Sequence, residues 1–156
     1  MKKTILTVFF ALTLLNASNA QDYNTGIGVR GGLYNGLTVK HFISGENALE
    51  GLILSRWGGF NITGLYEIHA NAFNTPRLNW YYGFGGHIGF WDGDKNPWFD
   101  DNNNYTVIGV DGIIGLEYNI EAIPFNISLD WKPAINLIGK TNLGADELAL
   151  SVRFIF

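Results

Sequence analysis

The last ten residues, ELALSVRFIF (147–156), alternate between two kinds of side chain along their whole length. One face of an extended strand would carry large apolar groups, and the other would carry mostly small or charged groups. The apolar face has Leu148, Leu150, Val152, Phe154 and Phe156, and the opposite face has Glu147, Ala149, Ser151, Arg153 and Ile155. A period of two residues predicts a β-strand, and an apolar stripe that continues to the final residue favours an apolar environment on that side.

Residues 1–20 have the three parts of a secretory signal peptide. Two lysines are followed by the apolar run TILTVFFALTLL, and small residues then lead to Ala20. The apolar run is too short for a membrane-spanning helix, which needs about 20 residues. We therefore predict that residues 1–20 are cleaved and that residues 21–156 leave the cytoplasm as one domain.

The composition favours β-structure. Glycine occurs 20 times, aromatic residues make up 15% of the chain and charged residues another 15%, and there is no cysteine to form a disulfide. This mixture is typical of β-strands that combine many aromatic residues with glycine, rather than of a helical enzyme. The formal charge of −4 becomes more negative once the two signal-peptide lysines are removed. Nucleic acids and anionic membrane surfaces are therefore not expected as partners.

Eight runs in the remaining sequence have strand character and are separated by turn residues. The predicted strands are Thr25–Tyr34, Leu37–Ile43, Leu49–Trp57, Phe60–Phe73, Leu78–Trp91, Tyr105–Glu121, Phe125–Ile138 and Asp146–Phe156. Most contain about ten residues or more, which suits tilted strands that cross a membrane. Asn35-Gly36 predicts a two-residue hairpin turn, because both residues adopt positive φ at little cost. The one long connection, 92–104, separates the fifth and sixth strands.

The alternation allows two orientations: a soluble, lipocalin-like protein with the apolar face inward, or a membrane barrel with that face outward. Three features favour the membrane barrel. Rings lie near the strand ends on the apolar faces, the polar faces are rich in glycine and in both signs of charge, and the long connection falls where an extracellular loop belongs. The run 49–57 is apolar on both faces, so its orientation stays open, and His41 falls on the lipid side.

The signal peptide, the eight alternating strands and the terminal Phe156 resemble small outer-membrane barrels of the OmpA/OmpX type. This resemblance covers residues 21–156 and implies an all-β, antiparallel, up-and-down, eight-stranded transmembrane β-barrel. It implies a monomer in the outer membrane of a Gram-negative cell, surrounded by outer-membrane lipid and lipopolysaccharide. It also implies that the last strand, with Phe154 and Phe156, is recognised by the outer-membrane assembly machinery.

Charged side chains on the polar faces are expected to meet inside the barrel. The predicted lumen residues are Arg30, Lys40, Glu67, His87, Asp111, Glu117, Asp130, Lys132, Glu147 and Arg153. We expect Glu117 to lie opposite Asp130, and His87 to reach Asp111 across a hairpin. Eight strands enclose only enough room for side chains, and buried charges must be paired. A salt-bridged plug is therefore predicted, with a narrow, porin-like ion channel as the alternative.

The sequence gives no positive support for catalysis. His41, His69 and His87 lie on three different predicted strands, and no His-x-Ser pair of the kind found in outer-membrane deacylases is present. A hydrolase would need a nucleophile within reach of a histidine. No catalytic residue or cofactor is predicted, and the expected role is structural or one of surface interaction. A lipid-modifying outer-membrane enzyme remains the alternative.

The 92–104 connection contains two further features. DGDKN (92–96) has the oxygen spacing that begins a calcium loop, but Pro97 and Asn103 stand where the loop needs glycine and glutamate, so no metal is predicted. Trp98 and Phe99 would be exposed rings in an extracellular loop. They are predicted either to contact a partner or the outer leaflet, or to fold over the barrel mouth.

Overall fold

The computed structural model describes residues 23–56, 58–92, 104–139 and 141–156. Within these ranges the protein is all-β, and no helix there is long and apolar enough to cross a membrane. The predicted signal peptide lies outside the described residues. The strands are β1 Thr25–Gly32, β2 Asn35–Phe42, β3 Asn47–Arg56, β4 Gly59–Asn71, β5 Leu78–Trp91, β6 Tyr105–Asn119, β7 Phe125–Trp131, β8 Ala134–Ile138, β9 Leu143–Gly144 and β10 Leu148–Ile155.

The strands form a closed antiparallel barrel. Strands β1 to β6 pair in chain order, β7 pairs with β6, and β10 joins β7 to β1. Strands β7 and β8 pair with β6 one after the other, so they form a single wall position that is interrupted at Lys132 and Pro133. The two-residue β9 pairs with β8 in the same way that β10 pairs with β7, so it belongs to the wall position of β10. The wall therefore has eight positions, and the predicted antiparallel eight-stranded barrel is confirmed.

One row of apolar side chains shows how the barrel closes. The row contains Ile108, Ile88, Ile62, Ile53, Leu37, Val29, Val152, Ile127 and Tyr118, each directly opposite the next on the neighbouring strand. It begins and ends on β6, and the stagger between its two ends is ten residues, from Ile108 to Tyr118. A stagger of this kind is what lets tilted strands close into a narrow barrel.

The apolar face of the alternation points outward. Val29 is 59% exposed and Phe84 is 68% exposed, whereas Arg30 and Lys40, on the opposite faces of their strands, are buried. The lipocalin-like arrangement, which needs the apolar face inward, is therefore wrong for this chain. The wall presents hydrocarbon to its surroundings and encloses the charged groups.

The structure resolves the orientation of β3, which the sequence left open. Glu50, Leu52 and Leu54 point inward and are buried, whereas Leu49 and Ile53 are exposed on the outside. Leu52 and Leu54 pack inside the barrel in an apolar cluster completed by Leu65, Tyr81 and Ile113. The lumen is thus partly apolar, which explains why β3 reads as apolar on both faces.

The predicted hairpin turn at Asn35-Gly36 is wrong. Both residues belong to β2, where they pair with Ser55 and Leu54, and neither has a positive φ. The chain turns at Leu33 and Tyr34 instead. Gly36 is needed for close strand approach, because a Cβ there would lie 1.9 Å from the Ile53 carbonyl oxygen.

Candidate functional site

The inside of the barrel holds a network of buried ion pairs centred on Lys40 of β2. Its Nζ lies 2.8 Å from Glu67, 3.5 Å from Glu117 and 3.6 Å from Glu50. The same ammonium group lies 3.9 Å from the centre of the Tyr81 ring, which adds a cation–π contact. Three carboxylates and one aromatic face therefore surround a single cation that has no exposed surface.

Arg153 of β10, which is separated from β2 by β1 in the wall, supports the same layer. It forms a salt bridge with Glu50 and donates hydrogen bonds to Asn126 Oδ1 at 3.1 Å and Ser128 Oγ at 2.8 Å. Its Nε donates to Thr38 Oγ1 at 3.0 Å. Buried charges of this kind are tolerated only when their hydrogen-bonding capacity is used.

His69 of β4 fits between two carboxylates of this layer. Its Nε2 lies 3.0 Å from Glu67 and its Nδ1 lies 3.4 Å from Glu117. The imidazole stacks on Tyr81, with ring centres 4.9 Å apart. His69 and Glu50 were not assigned to the lumen by sequence. The alternation of side chains along β4 (its parity) could have placed His69 in the lumen, since His69 lies two residues from Glu67 and so on the same face of the strand.

A second layer lies nearer the end of the barrel at which β1 and β3 finish. Arg30 donates to both oxygens of Asp130, at 2.6 and 2.8 Å, and lies 3.3 Å from Glu147. Tyr81 donates its hydroxyl to Asp130 at 2.9 Å. Lys132 lies 2.9 Å from Glu147, so that one carboxylate links the two cations of this layer.

All ten predicted lumen residues are buried inside the barrel. The predicted pair of Glu117 and Asp130, however, is wrong. Glu117 is opposite Ser128 and belongs to the Lys40 layer, whereas Asp130 is opposite Gly115 and belongs to the Arg30 layer. The pairing register of β6 and β7 is therefore shifted by two residues from the predicted register.

The second layer forms the floor of a cavity of about 570 Å³ at the mouth of the barrel. His87 lies at this floor, with Nδ1 2.7 Å from Asp111 and Nε2 2.8 Å from Asn136. Space for the imidazole depends on Gly109, because a Cβ there would lie 2.5 Å from His87 Cε1. The predicted approach of His87 to Asp111 is present in the structure.

Aromatic side chains line the walls of this mouth cavity. Trp91 packs against Gly59, where a Cβ would lie only 2.2 Å from the indole ring. Tyr34 meets Trp91 edge to face at 6.2 Å, and the Arg56 guanidinium lies over the Tyr34 ring at 5.1 Å. Burial raises the pKa of Tyr34 above its usual value of 10.0, so the phenol stays neutral and able to donate.

The serines near the lumen are not placed for nucleophilic catalysis with His87. Ser128 accepts a hydrogen bond from Arg153, Ser151 lies 3.5 Å from Arg30, and Ser55 donates to the Gly59 carbonyl. Both ring nitrogens of His87 are engaged by Asp111 and Asn136. Among the described residues, no group of three or more histidine or acidic side chains is arranged to hold a metal ion.

The other predicted site residues belong to the 92–104 connection and to the end of the chain. Trp98, Phe99 and the calcium-like sequence after Asp92 fall outside the described residues. Phe154 and Phe156 are exposed at the end of β10, where Phe154 meets Phe125 edge to face at 5.7 Å. Their role in assembly stays a prediction.

His41 is exposed on the outer face of β2, with its Nδ1 2.9 Å from Thr25 Oγ1.

Comparison of the chain with protein-family models, with curated proteins and with solved structures found no match. The fold and the two layers of buried charge therefore carry the functional argument.

Proposed function

We propose that this chain is a monomeric β-barrel of the Gram-negative outer membrane, with a closed lumen and a structural or surface-interaction role. The observation that carries the proposal is the unbroken apolar row from Ile108 to Tyr118, which circles the wall. A patch that binds one protein partner would occupy one side of the molecule. A band on every side needs an apolar solvent, which the hydrocarbon core of a bilayer supplies.

The closed wall supports the same proposal. In a barrel the backbone groups of every strand are paired with a neighbour, which is the condition for placing β-structure in lipid. The charges lie inside and the hydrocarbon lies outside, as lipid-embedded barrels require. In this setting lipid and lipopolysaccharide contact the outer wall, and the signal peptide and the β10 phenylalanines direct export and assembly.

The packed interior favours a plug over a channel. Tyr81, Lys40 and Arg153 have no exposed surface, and Tyr81 connects the two charged layers by packing its ring on Lys40 and donating its hydroxyl to Asp130. A porin-like path would need water beside these charges, whereas each of them contacts protein groups. The alternative of a narrow channel is therefore the less favoured one.

The test uses residues 21–156 refolded with and without phospholipid vesicles. Unheated and boiled samples are compared by gel electrophoresis. The proposal predicts a fast-migrating, heat-sensitive form only in the presence of vesicles or detergent micelles. A compact form that appears equally in plain buffer would contradict membrane residence.

A further inference from the structure

We propose that the mouth cavity is a binding site for a neutral saccharide. The cavity is about 570 Å³, within the range of about 300–1,000 Å³ that is usual for small-molecule sites. Its floor is closed by the ion pairs of Lys132 with Asp111 and Glu147, at 2.9 Å each. A ligand in the cavity would therefore rest on a polar base of paired charges.

The charges around the cavity disfavour an anionic ligand. Arg56 and Lys132 line it, together with Asp111, Asp146 and Glu147. Lys132 forms ion pairs with Asp111 and Glu147. The Arg56 guanidinium lies 4.0 Å from the third carboxylate, that of Asp146. A phosphate or sulfate would meet negative groups on several sides, without a surplus of cations to offset them.

The polar lining equally disfavours a purely apolar ligand. Asn61, Asn136 and Asn142 bring amides to the wall, and each amide combines donor and acceptor atoms. Replacing water at these groups with hydrocarbon would leave buried polar atoms unsatisfied, at a cost of about 1–3 kcal/mol each. A hydroxyl-bearing ligand can restore the hydrogen bonds that water makes.

The rings supply the remaining element of saccharide recognition. Trp91, Tyr34 and Tyr105 line the cavity above the polar floor. Aromatic faces carry partial negative charge and attract the polarised C–H groups on one face of a pyranose ring. The Trp91 indole lies where a Cβ of residue 59 would otherwise be, so its position requires glycine there. Aromatic rings and amides among the lining residues, together with the paired charges of the floor, match the two kinds of surface on a neutral sugar.

The same chemistry is offered by a free oligosaccharide and by the sugar part of a cell-surface glycan. This inference deepens the proposed surface-interaction role and rests on it only in placing the mouth outside the cell. Binding itself depends on the folded barrel. A failure of membrane insertion and a failure of saccharide binding are therefore measured separately.

The experiment presents the detergent-refolded chain, residues 21–156, to an array of neutral, phosphorylated and sialylated oligosaccharides. The best neutral glycan is then titrated in solution by calorimetry, both as the free oligosaccharide and attached to lipid. Similar affinity for the two forms identifies the sugar as the ligand. Retention of neutral glycans in preference to charged ones is the expected result. Retention of phosphorylated or sialylated glycans alone, or of none, overturns the proposal.

Matched tryptophan variants locate the site. Trp91→Leu, in the mouth, should weaken binding of the best neutral glycan at least tenfold. Trp80→Leu should leave it unchanged, because Trp80 lies near the other end of β5 and stacks on Tyr82 of the outer wall. Gly59→Ala is a second test, because the added methyl displaces the indole without removing it. Each variant is first shown to fold by its heat-dependent gel shift. Equal binding by folded Trp91→Leu and Gly59→Ala would place the saccharide elsewhere and overturn the proposal.

Discussion

Arg30 and Asp130 are one hundred positions apart in the chain and are joined by two hydrogen bonds, of 2.8 and 2.6 Å. Arg30 lies on β1 and Asp130 on β7, with β10 between them. The pair therefore crosses the strand that closes the barrel. A two-point bond of this kind fixes orientation as well as distance, and it joins the first strand to the C-terminal part of the wall inside the lumen.

Removing the carboxylate of Asp130 should destabilise the barrel strongly. Asp130→Ala leaves the Arg30 guanidinium buried and takes away the acceptor of the Tyr81 hydroxyl. Loss of one partner of a buried pair costs about 3–5 kcal/mol. The free energy of unfolding is measured in vesicles by guanidinium titration of tryptophan fluorescence.

The matched control for Asp130→Ala is Glu121→Ala. Glu121 is an exposed carboxylate that lies 3.9 Å from Arg77. An exposed pair contributes at most about 1 kcal/mol, so this variant should unfold near the wild-type midpoint. Equal losses in the two variants would show that the lumen pair adds nothing special to stability.

Glycine substitutions should separate positions of close strand approach from positions of open space. A Cβ at Gly85 would lie 1.9 Å from the Gly64 carbonyl oxygen, whereas a Cβ at Gly64 would meet nothing within 4 Å. Gly85→Ala is expected to cost about 1–3 kcal/mol through backbone displacement, and Gly64→Ala is expected to be neutral. The same guanidinium titration measures both, and a larger loss for Gly64→Ala would contradict the observed packing.

A charge on the outer wall should be costly in proportion to its depth. Phe84 lies at the middle of β5 and is 68% exposed, whereas Ile43 lies just beyond the end of β2. Arginine at the midplane of a bilayer costs about 2–4 kcal/mol, falling to about 0–1 kcal/mol near the interface. Phe84→Arg should therefore lower the stability of the vesicle-inserted protein far more than Ile43→Arg does. Similar values for the two would speak against a surrounding bilayer.

The protein should not conduct ions. The Lys40 layer fills the lumen with side chains that have no exposed surface, and ions would have to displace paired charges to pass. Planar-bilayer recordings of preparations whose insertion is verified by the heat shift should show no steady conductance. Stepwise currents in the wild type that change with Glu117→Gln would support a channel instead.

Parity explains how much of the fold could be read from the sequence. Because side chains alternate strictly along a strand, the positions of Arg30, Asp111 and Arg153 on polar faces were sufficient to place them inside. The strand count followed from the same pattern and its turns. Parity failed for β3, because Leu52 and Leu54 belong to an apolar cluster within the lumen.

Register explains what the sequence could not supply. Parity says which face a residue occupies, but the partner across the lumen depends on the offset between strands. The offset of β7 moves Asp130 away from Glu117 and toward Arg30. The prediction of a hairpin turn at Asn35-Gly36 also failed, because Gly36 allows β2 and β3 to approach closely and does not form a turn. The mouth cavity combines side chains from several strands, so its composition could not be predicted before the pairing register of those strands was known.

In the proposed arrangement, lipid surrounds the apolar wall while the lumen stays closed. The chain has no cysteine, so a spin label can be attached at one introduced cysteine at a time. Suitable β6 variants are Val110→Cys, Ile114→Cys and Leu116→Cys on the exposed face, and Ile113→Cys on the buried face. All four replace an aliphatic side chain, so only the direction of the residue differs.

The measurement is the accessibility of each label, in vesicles, to oxygen dissolved in the bilayer and to a water-soluble nickel chelate. A lipid-embedded barrel should give high oxygen and low nickel accessibility at the three outward positions, and low accessibility to both at Ile113, which packs in the apolar cluster of the lumen. Nickel access at the outward positions, or the absence of any alternation along β6, would contradict a lipid-embedded barrel with a closed interior.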